Sequence, residues 1–178
     1  NGIVVDAFCQ TSSPNIYAAG DVANQPNRIL GGRLRLEHWQ NAQNQAAAAA
    51  NSMLGRGKEF SEVPWFWSDQ YDLNIQMSGS SGGFDLLVFR GDRESKSFAA
   101  FFLRDGLVRG VVGVNRPRDV RIGVKLIESK AICDPMLLSD EDFSLQTLVA
   151  RSSGSSWNFE DAVPRLNSPS GADRRASG

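Results

Sequence analysis

The amino-acid sequence predicts an α/β unit followed by a smaller mixed α+β unit. Three observations carry this expectation. A short apolar segment ending in Gly20-Asp21 is followed by a loop and an Ala-rich helical stretch. From Leu73 onward, apolar residues alternate with polar ones in several runs separated by turn dipeptides. After Pro117 the apolar spacing changes from two to three or four, the helical period. The expected organisation is residues 1–58, residues 59–150, and a tail at 151–178 with the composition of a disordered segment.

Along the chain, Ile3-Val4-Val5 reads as a first strand. Thr11 to Asn15 has turn composition, and Ile16 to Ala19 reads as a short buried strand stopping at Gly20-Asp21. Residues 22–35, with Pro26, Gly31 and Gly32, read as a loop. A helix is expected from Glu37 to Leu54. Its inward face is expected to carry Trp39, Ala42, Ala46, Ala49, Ala50 and Met53, with Gln40, Asn44 and Asn51 opposite. Gly55 is a natural helix stop.

The stretch Pro64 to Tyr71 is dense in aromatics. Strands are expected over Leu73 to Met77, Phe84 to Arg90 and Ser97 to Leu103. Asp105-Gly106 is a hairpin turn into Leu107 to Val114. Pro117 suits the first position of a helix carrying Val120, Val124 and Ile127. A last short helix is expected to start at Ser139, capped by its hydroxyl. Beyond Arg151 only Trp157 and Phe159 offer docking side chains.

Bulk properties exclude several classes. Hydrophobic residues make up 41% of the 178, enough for a core, and the net charge is −1. Nothing in that balance points to nucleic acid or to a polybasic membrane patch. No apolar run is long enough to cross a bilayer. Cys9 and Cys133 form no Cys-x-x-Cys pair, so neither zinc nor a redox-active disulfide is expected, and reduced thiols in a cytoplasmic protein are. The chain starts at Asn1 and enters an apolar run at once, so it is expected to begin inside a domain. No Gly-x-Gly-x-x-Gly fingerprint for a dinucleotide pyrophosphate is present.

Chemistry concentrates in three clusters. In Thr11 to Asp21, small residues let a backbone approach a flat ligand closely. An ionised Asp21 accepts only, which suits a ligand rich in hydroxyl donors. Gly-Asp is also a common turn dipeptide, so the residues alone leave both readings open. The second cluster is Arg35-Leu36-Glu37-His38-Trp39-Gln40-Asn41-Ala42, followed by Gln45, and the third is Val63 to Tyr71, VPWFWSDQY. His38, the only histidine, invites a general acid/base role on residue type alone. Trp65 and Phe66 read as packing residues.

The string TSSPNIYAAGDVA, preceded by NGIVVD, resembles the second FAD-contacting motif of flavoprotein reductases with two dinucleotide-binding domains. With the second and third clusters, residues 1–150 resemble bacterial ferredoxin reductases that serve Rieske dioxygenases and cytochromes P450, and the related apoptosis-inducing-factor-like oxidoreductases. The fold this implies is the C-terminal remnant of an FAD-binding fold followed by a small reductase C-terminal domain. The pyrophosphate fingerprints would then lie upstream.

The resemblance implies cofactor contacts at Gly20, Asp21, Glu37, His38, Trp39 and Trp67, with no catalytic side chain and no metal. Asp21 would bind the ribityl chain. The backbone at Glu37 to Trp39 would face the pyrimidine end of the flavin, and Trp67 would lie beside the ring. It implies FAD as cofactor, NAD(P)H as reductant and a 2Fe-2S ferredoxin as electron acceptor, with no nucleic-acid or membrane partner. A homodimer is among the oligomeric states it admits. Arg33 and Arg35 read either as a docking patch for an acidic ferredoxin or as solvated loop charges. The alternative function is a non-catalytic interface or dimerisation module.

Overall fold

A computed structural model describes residues 1–152. The first sheet has three short strands in the order β1 (Ile3–Val4), β2 (Ala23–Pro26), β3 (Arg33–Leu34). β1 pairs parallel to β2, and β2 antiparallel to β3. Helix α1 (Trp39–Met53) follows. The second sheet contains β4 (Trp65–Gln70), β5 (Leu73–Gly79), β6 (Leu86–Asp92), β7 (Ser97–Arg104) and β8 (Leu107–Val114). Its order is β4-β5-β8-β7-β6, antiparallel throughout. Helices α2 (Pro117–Ser129), α3 (Pro135–Ser139) and α4 (Gln146–Ser152) complete the described chain.

The second sheet forms where the alternation placed it. Asp105 and Gly106 turn β7 into β8 with φ of 53° and 74°, both left-handed, as a tight hairpin with the right twist requires. β8 is central, and α2 covers its inner face. Val120, Leu126 and Ile127 of α2 are buried with Phe101, Leu103, Val108 and Val111 in the main core. Gly123 permits this close approach: a Cβ there would stand 2.6 Å from Cγ1 of Val111. Pro117 occupies the first turn of α2, as expected.

Arg90, on β6, fastens the last segment to this core. Its guanidinium is 8% exposed. It donates to the carbonyl oxygens of Leu138, Asp140, Glu141 and Phe143, the last at 2.9 Å. Asp119 of α2 faces it at 3.8 Å, and Arg116 links to Glu141 at 2.6 Å. The irregular chain between α3 and α4 thereby finds partners for carbonyls that no ladder satisfies.

Four expectations require correction. Ile16 to Ala19 is no strand. Only Tyr17 bridges, to Gln10, and Ile16 is 57% exposed. The chain instead makes a 3-10 turn at Gly20–Val22 and then β2, which pairs with both neighbours inside the stretch read as loop. Of the Ala and Trp stripe expected to face inward from α1, only Ala49 is buried. Asn41, Gln45 and Ala49 point inward, while Trp39 and Met53 are exposed. Polar inward residues fit here because each finds a buried partner, which a hydropathy pattern does not register. Ser139 ends α3 rather than starting a helix; Asp134 is the cap, accepting from the N–H of Met136. Finally, Pro64 to Tyr71, given no element beforehand, holds edge strand β4. The expected tail falls outside the described residues from 153 onward, Trp157 and Phe159 included, and residues 151–152 close α4.

Candidate functional site

Gly20 sets the first corner. Its φ is +76°, and a Cβ there would stand 3.3 Å from the Cβ of Ala42 in α1. Only glycine combines that backbone with that proximity. Asp21 follows, exposed, and among the described residues no donor reaches its carboxylate. Its backbone oxygen accepts from Nη1 of Arg35 at 2.9 Å, and the same guanidinium pairs with Glu37. One arginine therefore ties together two of the expected site residues.

His38 is the N-cap of α1. Its Nδ1 accepts from the N–H of Asn41 at 3.3 Å, and Ala42 N–H bonds its carbonyl oxygen. An accepting Nδ1 places the proton of the neutral ring on Nε2. That atom is buried without a partner among the described residues. Burial lowers the His38 pKa below its usual value, against the opposing field of Asp21. His38 is thus a neutral cap that also lines two small cavities, of 110 and 170 Å³. The N–H groups of Trp39 and Gln40 find no acceptor among the described residues. The positive end of α1 is therefore open where Trp39 emerges.

The aromatic cluster completes the surface. Trp39 is 64% exposed and meets the edge of Trp67 at 6.3 Å between centroids, the planes at 85°. Trp67 stacks on Trp65 at 5.1 Å, and Phe66 stacks on His38 at 6.0 Å. The start of α1 is so held against edge strand β4 by two aromatic contacts on consecutive residues. Trp65 is partly buried against the main core, the packing role expected of it, whereas Phe66 is 37% exposed beside His38.

A continuous chain of contacts thus runs from Gly20 and Asp21 through Arg35, Glu37 and His38 to Trp39 and Trp67. All six expected site residues belong to it. It offers a free carboxylate, a Cβ-free approach, unpaired helix amides and two exposed indoles. Those features fit the hydroxyl-bearing, flat, anion-forming groups of FAD. Arg33 does not extend the patch. Its guanidinium donates to Asn24 and to the carbonyl oxygens of Val5 and Asn24, stitching the first sheet. Sequence reasoning named Gln45 with the second cluster without giving it a role, and missed Gln25; both are buried and tie Gly20 to the helix. The signal was present in Asn41 and Gln45, two amides four residues apart on one helix face.

Comparison with known proteins finds two family matches along the chain. Residues 65–149 match the family described as Reductase C-terminal, and residues 1–46 match Pyridine nucleotide-disulphide oxidoreductase. Over 150 residues, 84% of this chain, it is 43% identical to the anthranilate 1,2-dioxygenase system ferredoxin–NAD(+) reductase component of Burkholderia cepacia. It is 41% identical to the 5,5'-dehydrodivanillate O-demethylase ferredoxin reductase subunit of a Sphingobium species, again over 84% of the chain. The fold superposes on putidaredoxin reductase in its covalent complex with putidaredoxin with a TM-score of 0.81, at 34% identity and over 86% of this chain. In each case the chain spans 37% of the relative's length. Both matches fall in the order observed, residues 1–46 on the first sheet and the start of α1, and residues 65–149 on the second sheet and the helices after it.

Proposed function

We propose that this chain is the flavin-closing, C-terminal part of a flavoprotein that carries electrons from NAD(P)H to a 2Fe-2S ferredoxin serving an oxygenase, either a Rieske dioxygenase or a cytochrome P450. The observation that carries the reading is the contact chain joining Asp21, His38, Trp39 and Trp67. The ferredoxin reductases it resembles support the acceptor, as does a structural relative captured with putidaredoxin. Residues 1–58 would supply the end of the FAD-binding domain and residues 59–150 the interface domain.

Bound FAD would supply acceptance of a hydride and onward release of single electrons. The chain's own residues would bind and orient. Asp21 would accept hydrogen bonds from ribityl hydroxyls, with Gly20 giving the backbone room. The free N–H groups of Trp39 and Gln40, at the positive end of α1, would stabilise negative charge at the pyrimidine edge. Glu37 would hold Arg35 in place, and Trp67 would bound the ring face. His38 would remain a neutral cap and exchange no proton with the substrate.

Two buried, unpaired thiols, Cys9 and Cys133, are in keeping with a reducing, cytoplasmic setting. Among the described residues no helix is long and apolar enough to cross a membrane. The test is an absorbance spectrum of the whole flavoprotein before and after anaerobic NADH, then after oxidised ferredoxin. Bleaching of the flavin band and its recovery on adding ferredoxin are expected. A protein without flavin absorbance overturns the reading. A flavin that NADH does not bleach favours the alternative of a binding or dimerisation module.

A further inference from the structure

Gln45 is 0% exposed in the middle of an Ala-rich helix. A buried amide in such a place needs partners for all its polar atoms. It has them. Its Oε1 accepts from the N–H of Gly20 at 2.7 Å and, more weakly, from Nδ2 of Asn41 at 3.5 Å. Its Nε2 donates to Oε1 of Gln25 on β2 at 2.5 Å. Gln25 is itself 3% exposed. One side chain on α1 therefore holds both the corner at Gly20 and the strand that follows it.

The corner is the place where orientation is least fixed by the backbone itself. Gly20 adopts φ of +76°, but glycine visits positive and negative φ with similar ease. A change there would swing the next side chain, Asp21, across the surface. Side chains hold the Ala19–Gly20 peptide and the Asp21–Val22 peptide, and the Gly20 carbonyl oxygen between them accepts from the N–H of Ala23. Gln45 fixes the Gly20 N–H from the dry interior, and Arg35 fixes the Asp21 carbonyl oxygen from a partly exposed position. Water competes with the second and not with the first.

We infer that Gln45 is a positioning residue for the flavin site, acting through the Gly20 N–H to set the direction of the Asp21 carboxylate toward the ribityl hydroxyls. This rests on the reading of Asp21 as a ribityl ligand. Gln45 touches no cofactor in this role; it determines where the group that does so points.

The test is a double-mutant cycle on FAD affinity in the whole flavoprotein, with Gln45→Met and Asp21→Ala, apoprotein being titrated with FAD by flavin fluorescence. Q45M alone is expected to weaken FAD about tenfold, the scale of leaving a buried donor unpaired. In the D21A background it is expected to change affinity less than about twofold, because the group it directs is gone. Equal losses in both backgrounds overturn the inference and leave the site reading intact, as does no loss in the parent. A D21A protein that holds FAD as tightly as the parent overturns the site reading and this inference with it. Should Q45M not fold, Gln45→Glu takes its place in the same cycle. It keeps an acceptor for the Gly20 N–H, so a smaller loss and the same non-additivity are expected, and additive losses overturn the inference equally.

Discussion

Trp39 and Trp67 meet edge to face, 6.3 Å apart and 85° between planes, across the junction of α1 and β4. Both are exposed, at 64% and 42%, so neither is held there by burial alone. Such a pair contributes about 0.5–1.5 kcal/mol beyond its area. A double-mutant cycle with W39A and W67A, read by urea unfolding, should return a coupling of about that size. A coupling near zero would show that the indoles do not help to hold α1 against β4.

Arg90 is a buried charge and should be costly to lose. Replacing it with Met leaves the carbonyl oxygens of Leu138, Glu141 and Phe143 without the Arg90 donor, Asp140 with only the Phe143 N–H, and Asp119 without one of its cations. Breaking a buried pair in this way costs about 3–5 kcal/mol. Hydrogen exchange should show residues 138–149 losing protection in R90M well before α2 does. Uniform loss across both segments would contradict a local fastening role.

The histidine gives stability a defined pH slope. Burial lowers the His38 pKa in the folded state, so the unfolded chain binds the proton more readily. Stability is then full above the unfolded value of about 6.5 and falls as pH drops from there toward the lower folded value. The melting temperature should decline on acidification from pH 7 to pH 5.5. His38→Asn keeps a capping acceptor and should flatten that decline. An unchanged slope in H38N would place the responsible group elsewhere.

The thiols behave in the opposite sense. Burial pushes Cys133 up to about 12 and raises Cys9 as well. A disulfide-exchange reagent at pH 8 should therefore label neither thiol in the folded protein and both in urea. Because an unfolded thiol ionises near 8.5, stability should also fall as pH rises from there toward 12. Cys133→Ala should remove most of that loss.

Gly123 tests how tightly α2 lies on the sheet. Alanine normally favours a helix over glycine by about 1 kcal/mol. Here its Cβ would stand 2.6 Å from Val111, so G123A should destabilise by about 1–3 kcal/mol in chemical denaturation. A stabilised G123A would mean that the helix can shift away without loss.

By itself the sequence determined the features whose cause is local. The alternation from Leu73 to Val114 and the Asp105-Gly106 turn specified the antiparallel sheet, because side-chain period and turn chemistry act over a few residues. Pro117 placed the start of α2, since proline is tolerated only in the first turn. The Gly20-Asp21 corner and the two tryptophan clusters were legible as strings, and as strings they named a family. Tertiary structure alone decided which side of α1 faces inward. Hydropathy favoured the Ala and Trp stripe, but Gln45 is buried because Gly20 and Gln25 offer it hydrogen-bond partners from distant points in the chain, and Asn41 because the nearby Leu36 carbonyl and Gln45 accept from it. Likewise β2 exists only because β1 and β3 come alongside it, and the carbonyls from Leu138 to Phe143 can be buried only because Arg90 reaches them from β6. Periodicity records the average environment of a segment; a polar group's fate depends on one specific partner, and only folding brings that partner within 3 Å.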